Sequence, residues 1–148
     1  MKQKFEVTID ASKEKVWAAM DNPGNMARWQ SGLVSYEPTS GEPGQVGSTG
    51  ELVFNENGKH VVLVETVTER REPDFFAGTY EADHGTTIVV KHFESIDENT
   101  TRWTLWCNFQ FNGLMRFMAI FIAGAMRKRT QGDMERFKLM VETDEAGA

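Results

Sequence analysis

The sequence predicts an α+β domain in which a curved antiparallel sheet of seven strands wraps around one long C-terminal helix. Three observations predict this fold. Residues 2–9 alternate between apolar and polar side chains, and two short helical segments follow at once. Strand patterns joined by short turns then extend to residue 111. The longest helical pattern, residues 114–142, comes last.

The N-terminal strand and the two short helices each have a local signal. Three apolar side chains fall on one face of the strand over residues 2–9. Ser12 is placed to cap a helix over residues 12–20, which the Asp-Asn-Pro-Gly sequence at 21–24 ends. Residues 25–30 predict a second short helix, so both helices precede the rest of the sheet.

The middle of the chain has the pattern of an antiparallel meander. The Asn57-Gly58 pair suits the positive backbone angles of a tight turn, and the other connections are also short. Short connections place strands that follow each other in sequence side by side. The predicted strands are residues 33–37, 49–54, 59–70, 75–82, 86–96 and 101–111.

The last hairpin predicts which side chains face the interior. If Glu98 and Asn99 form its loop, Trp103 lies opposite Glu94 and Leu105 lies opposite His92. The more apolar face then carries Trp103, Leu105, Cys107 and Phe109 together with Ile88, Val90, His92 and Glu94. We therefore expect that face, including His92 and Glu94, to point inward.

The first part of the long helix is apolar on nearly all sides. Its side chains with i, i+3, i+4, i+7 spacing are Leu114, Phe117, Met118, Phe121, Ile122 and Ala125. One side is expected to face an interior cavity. Another could meet a second copy of the chain, as a homodimer, or transiently a membrane surface.

Length and charge exclude several classes of protein. The 148 residues suit one domain, predicted over residues 1–142 with a polar tail at 143–148. A net charge of −6 without a long basic run argues against nucleic-acid binding. The longest uncharged apolar run, residues 117–126, falls short of the ~20 residues that span a bilayer, so no stable membrane insertion is expected. The N-terminus lacks the apolar core of a secretory signal, and the expected location is the cytoplasm.

Metal and covalent chemistry have weak support in the sequence. The single cysteine, Cys107, has apolar neighbours and predicts an inert buried thiol. His60, His84 and His92 lack the spacing of metal ligands, so neither a metal nor a cofactor is expected. The sequence has no nucleophile elbow and no phosphate-binding loop.

Several segments resemble the SRPBCC (START/Bet v1-like) superfamily in the order in which they occur. They are residues 7–17 (strand and Val-Trp helix start), 21–29 (Asp-Pro to Trp), 46–48 (Val-Gly-Ser), 99–104 (edge hairpin) and 134–138 (end of the long helix). The likeness covers about residues 3–142. It is nearest to the polyketide cyclase/dehydrase and lipid-transport branch.

The resemblance implies a helix-grip fold with a deep hydrophobic cavity between the sheet and the long helix. Its expected occupant is a hydrophobic small molecule such as a lipid, an isoprenoid or a polyketide. The residues expected to line the cavity are Trp29, Tyr80, Val90, His92, Trp103, Leu105, Phe109, Phe117, Met118, Phe121, Ile122 and Ala125.

Members of the superfamily differ in activity, so three functions stay open. The first is binding or transport of the hydrophobic molecule without chemistry. The second is an aromatase/cyclase-like enzyme, in which His92 and Glu94 would exchange protons with a bound polyketide. The third is a protein-interaction module of the chaperone-activator type. A histidine bonded within the sheet and a solvated glutamate at the hairpin end are the plainer roles for His92 and Glu94.

Overall fold

The structure, a computed structural model, describes residues 1–143. Its strands are β1 (Lys2–Ile9), β2 (Leu33–Ser40), β3 (Thr49–Glu56), β4 (Lys59–Arg71), β5 (Phe75–Ala82), β6 (Gly85–Asp97) and β7 (Thr100–Phe111). Its α-helices are α1 (Lys13–Met20), α2 (Met26–Trp29) and α3 (Leu114–Glu142). The predicted polar tail, except for Thr143, lies outside the described residues.

The strands form one antiparallel sheet in the spatial order β1-β7-β6-β5-β4-β3-β2. Consecutive strands are neighbours from β2 to β7, and β1 pairs with β7 at the other edge. The predicted fold is thereby confirmed: a curved seven-stranded sheet, a long C-terminal helix and two short helices after the first strand.

The two short helices close one end of the sheet. Ser12 caps α1, because its side-chain oxygen accepts a hydrogen bond from the Lys15 backbone amide at 3.2 Å. Between the helices, the buried Asn25 side chain donates to the Ala19 carbonyl oxygen at 3.0 Å. This bond ties the start of α2 to the end of α1, and a 3₁₀ turn over Pro23–Asn25 connects them.

The hydrophobic core lies at this closed end. The C-terminal half of α3 contributes the buried side chains Met134, Phe137, Met140 and Val141. The Phe137 ring centroid lies 5.1 Å from that of Trp103 and 5.3 Å from that of Trp29. Residues 114–133 of α3 include no fully buried side chain, so the space beside this part of the helix is not filled by core packing.

The pairing of β6 with β7 contains an extra residue near the turn. Asp97 lies opposite Thr100, which agrees with a loop at residues 98–99, but the next pair is Ser95 with Thr101. Ile96 therefore has no partner on β7 and forms a β-bulge.

The bulge shifts the predicted register by one residue and so exchanges the two faces of β6. Phe93 lies opposite Trp103, and Lys91 lies opposite Leu105. The rings of Phe93 and Trp103 stack at 6.0 Å inside the core, so this is the inner face. The prediction that Ile88, Val90, His92 and Glu94 point inward was wrong: they lie on the outer face. There Glu94 accepts a hydrogen bond from Arg102 at 3.0 Å.

The first half of α3 is turned differently from the prediction. Phe117, Ile120 and Phe121 are 73%, 78% and 78% exposed. The helix side nearer the sheet is held by Gln3, whose side-chain amide donates to the Ala123 carbonyl at 3.0 Å. Of the predicted cavity residues on this helix, Phe117, Met118, Phe121 and Ala125 are exposed, and Ile122 is half-buried but does not line the cavity described below.

The orientation of the first half of α3 could not be predicted because this part of the helix is apolar on nearly all sides. Its periodicity therefore does not indicate which face is buried. The expectation that a second copy or a membrane surface covers the exposed side stays a prediction. No helix within residues 1–143 combines the length and the apolar character needed to cross a bilayer.

Candidate ligand cavity

A cavity of about 270 Å³ lies between the inner face of the sheet and the middle of α3. α3 packs on β1, β7 and α2, and it has little or no close contact with β3, β4 and β5. The apolar part of the wall consists of Leu52, Phe54, Leu63, Val89, Trp103, Leu105, Cys107, Phe109, Met126 and Met134. Arg129 and Glu56, which form an ion pair, stand at the rim.

The structure brings together some of the predicted cavity residues and separates others. It places Trp29, Tyr80, Trp103, Leu105 and Phe109 on the cavity wall. The predicted residues of β6 lie away from the cavity because the bulge at Ile96 turns them outward. Those of α3 lie away from it because the first half of the helix presents them elsewhere, most of them to solvent.

A second chamber of about 120 Å³ adjoins the cavity toward α1 and α2. The two chambers share the side chains of Trp29, Gln30, Leu52, Tyr80 and Lys91. Tyr36 lines the smaller chamber, and its ring lies against Gly50. A Cβ atom at Gly50 would be 2.6 Å from the Tyr36 ring, so a larger residue there would force the ring to move.

The buried acid Glu65 and the half-buried phenol Tyr80 form a pair on the wall of the smaller chamber, and Tyr80 also lines the larger one. Glu65 and Tyr80 are cross-strand partners on β4 and β5, and the Tyr80 hydroxyl donates to Glu65 Oε2 at 2.6 Å. Burial, and then the negative charge of Glu65, raise the pKa of Tyr80 well above its ordinary 10.0. The same two causes raise the pKa of Tyr36. Both phenols therefore stay protonated and can donate hydrogen bonds.

Lys91 extends into the same region from β6. Its ammonium lies 3.5 Å from Met20 Sδ, and 5.8 Å and 5.4 Å from the ring centroids of Trp29 and Phe76. Burial lowers the pKa of Lys91 below its ordinary 10.5, and the attraction of Glu65 only partly offsets this. The ammonium therefore sits in an aromatic and thioether environment that poorly replaces water.

The thiol of Cys107 does not supply a charge to the cavity. Burial raises its pKa from 9.0 to about 11, and the nearby Lys91 lowers it only in part. The thiol is therefore neutral near neutral pH and acts as an apolar wall group. Among the described residues, no three His, Cys, Asp or Glu side chains come close enough to hold a metal ion.

Sequence reasoning missed Glu65 and Lys91, two charged groups on the wall of the smaller chamber. For Glu65 a signal exists, because Leu63, Glu65 and Val67 alternate along β4 and therefore share one face. A carboxylate within such an apolar series indicates a buried polar group. Lys91 alternates with Val90 and His92, so the predicted register places it on the outer face, and the bulge at Ile96 turns it inward.

Comparison with known proteins agrees with the family resemblance of the sequence. A family model described as "Polyketide cyclase / dehydrase and lipid transport" matches residues 2–142. No protein with curated annotation matches the sequence at a significant level.

Solved structures with a similar fold have low sequence identity to this chain. The Zhui aromatase/cyclase from Streptomyces sp. R1128 has a TM-score of 0.80 at 13% identity, covering 96% of this chain and 93% of its own. Ara h 8.0201 has a TM-score of 0.77 at 15% identity, with 97% and 98% coverage. A conserved protein from Geobacillus kaustophilus has a TM-score of 0.78 at 13% identity, with 97% and 96% coverage. At these identities the likeness shows the fold alone.

Proposed function

The chain belongs to the polyketide cyclase/dehydrase and lipid transport family, and from this premise we propose that it binds and carries a hydrophobic small molecule. The observation that carries the proposal is the cavity between the sheet and α3, whose wall is mainly apolar. Ligands that suit such a wall are a lipid, an isoprenoid or a polyketide. In this proposal the protein does no chemistry on its guest.

The composition of the wall supports a guest with some freedom of shape. Trp29, Trp103 and Phe109 offer rigid aromatic surface, while Met126 and Met134 come from α3. Methionine side chains are flexible and polarizable, so they adapt to irregular apolar groups. A cavity with such a wall is suited to bind several ligands of one chemical class.

Filling the cavity should weaken ligand binding without affecting the fold. Val89 lines the cavity from the inner face of β6, so we expect Val89→Phe to occupy the space and to weaken binding by about tenfold or more. The measurement is the fluorescence increase of the neutral dye N-phenyl-1-naphthylamine, titrated with protein.

The neighbouring position provides the matched control. Val90 lies on the outer face of the same strand, so Val90→Phe adds the same ring outside the cavity and should leave dye affinity within a few-fold. Circular dichroism establishes that both variants fold. Equal dye binding by wild type and Val89→Phe, or no binding by the wild type, would count against a ligand cavity at this place.

A second candidate function, an aromatase/cyclase-like enzyme, is favoured by one observation. Glu65, Tyr80 and Lys91 all line the smaller chamber, where they would take the role that the sequence had given to His92 and Glu94. Glu65 would take a proton from an activated carbon, and Lys91 would stabilise the enolate oxygen that results.

The test of this second function is proton exchange. If the cavity performs such chemistry, the wild type should accelerate deuterium exchange at the central carbon of acetylacetone, followed by NMR. Glu65→Gln should remove the acceleration while dye binding survives. Exchange at the buffer rate in the presence of wild-type protein would leave the carrier function alone.

A further inference from the structure

A purely apolar ligand would give the ammonium of Lys91 no binding partner. Within residues 1–143, no carboxylate forms an ion pair with its ammonium, and its close neighbours are Met20, Trp29 and Phe76. The acid that attracts it across the cavity, Glu65, is already bonded to the Tyr80 hydroxyl. Lys91 is half-buried, and its ammonium is shielded from water by these neighbours. A shielded charge without a counter-ion is unfavourable, and such a group in a cavity is a candidate for binding a ligand.

The position of Lys91 suits recognition of one end of a guest. Lys91 stands where the two chambers meet, so a group bonded to it lies between them. From there, Val89, Leu105 and Phe109 extend the larger chamber as an apolar surface. A molecule with one charged end and a hydrocarbon body matches this division.

We propose that Lys91 binds the carboxylate of an amphiphilic guest, such as a medium-chain fatty acid, whose hydrocarbon part fills the larger chamber. This inference rests on the proposed binding function and narrows the class of its ligand. The ammonium donates hydrogen bonds to the carboxylate while it stays beside the rings of Trp29 and Phe76.

The free energy of binding depends on which charged groups lose water when the ligand enters. Folding has already removed much of the water from the Lys91 ammonium, so binding adds only the dehydration of the carboxylate. The new ion pair then forms in an apolar cavity, where attraction between opposite charges is stronger than in water. An alcohol with the same chain gains the apolar contacts but not the ion pair.

The experiment compares two ligands that differ only at the polar end. Decanoate and 1-decanol each compete with N-phenyl-1-naphthylamine on wild-type protein, on Lys91→Met and on Val90→Phe. We expect the wild type and Val90→Phe to prefer decanoate over decanol by about tenfold. Lys91→Met, which keeps the length and apolar stem of the side chain, should lose that preference and bind decanol at least as well.

The outcomes separate this inference from the proposed function. If the dye and decanol bind but decanoate has no advantage, or if Lys91→Met keeps the advantage, the role of Lys91 is wrong while the cavity stands. If neither the dye nor either ligand binds to the wild type, the binding function itself is wrong, and the inference falls with it.

Replacing Glu65 should change the affinity for decanoate in the opposite direction from replacing Lys91. Its carboxylate is close enough to influence Lys91 and would repel a second carboxylate placed there. Glu65→Gln still accepts the hydrogen bond from Tyr80, and it should strengthen decanoate binding while leaving decanol unchanged. Weaker decanoate binding in Glu65→Gln would show that the anion does not sit at Lys91.

Discussion

Replacing Trp103 by alanine is expected to reduce the free energy of unfolding by about 3–5 kcal/mol, the range for large aromatic side chains in cores. Trp103 is 0% exposed, and its ring packs against Trp29, Phe93 and Phe137 at centroid distances of 5.9, 6.0 and 5.1 Å. These rings come from α2, β6 and α3, so the truncation opens a void where three elements meet. Urea denaturation followed by circular dichroism measures the loss.

Trp106 is the matched control for this prediction. It lies on the outer face of the same strand, is 38% exposed, and has the Lys4 ammonium 5.8 Å from its ring centroid. Trp106→Ala should therefore lower the free energy of unfolding by about 1 kcal/mol or less. Losses of similar size at Trp103 and Trp106 would mean that the aromatic cluster is not the centre of the core.

Replacing Lys91 by methionine is expected to stabilise the ligand-free protein by about 1–2 kcal/mol. The substitution removes an ammonium that burial disfavours more than Glu65 favours, and it leaves an apolar chain of similar length against Trp29 and Phe76. Delipidated wild type and variant are compared by urea denaturation. Lys59→Met, at an exposed site, should change stability by about 0.5 kcal/mol or less.

The pH dependence of this difference has a definite sign. The pKa of Lys91 in the folded protein lies below the ordinary 10.5 that applies to the unfolded chain. Below the folded value both states are protonated, so the unfavourable burial of charge is fully present. Between the folded value and 10.5 the unfolded chain holds more protons, and wild-type stability rises with pH relative to the variant. The advantage of Lys91→Met should therefore shrink across this interval; a constant or growing advantage would contradict the assignment.

Features governed by local patterning could be predicted from the sequence. The alternation in β1, the cap at Ser12 and the length of α3 depend on neighbouring residues, and the structure has all three. The order of short strands followed by one long helix then leaves few ways to bury the apolar faces. For this reason the architecture could be predicted, whereas the cavity-facing sides of β6 and of the first half of α3 could not.

The missed features depend on choices that side-chain patterns leave undetermined. The predicted loop at residues 98–99 agrees with the Asp97–Thr100 pair, yet one unpaired residue beside it exchanged the faces of β6. On α3, Phe117 and Phe121 are as apolar as the residues that pack, and the exposed side was decided by how the rest of the helix docks through Phe137.

The unpaired Ile96 means that strand pairing, and not only side-chain identity, governs which polar groups a ligand meets. If Ile96 paired with Thr101, His92 would move opposite Leu105 and Glu94 opposite Trp103, and both would turn inward in place of Lys91. A single residue outside the binding space thus sets whether that space offers a cation or an imidazole and an acid, with the amino-acid sequence unchanged.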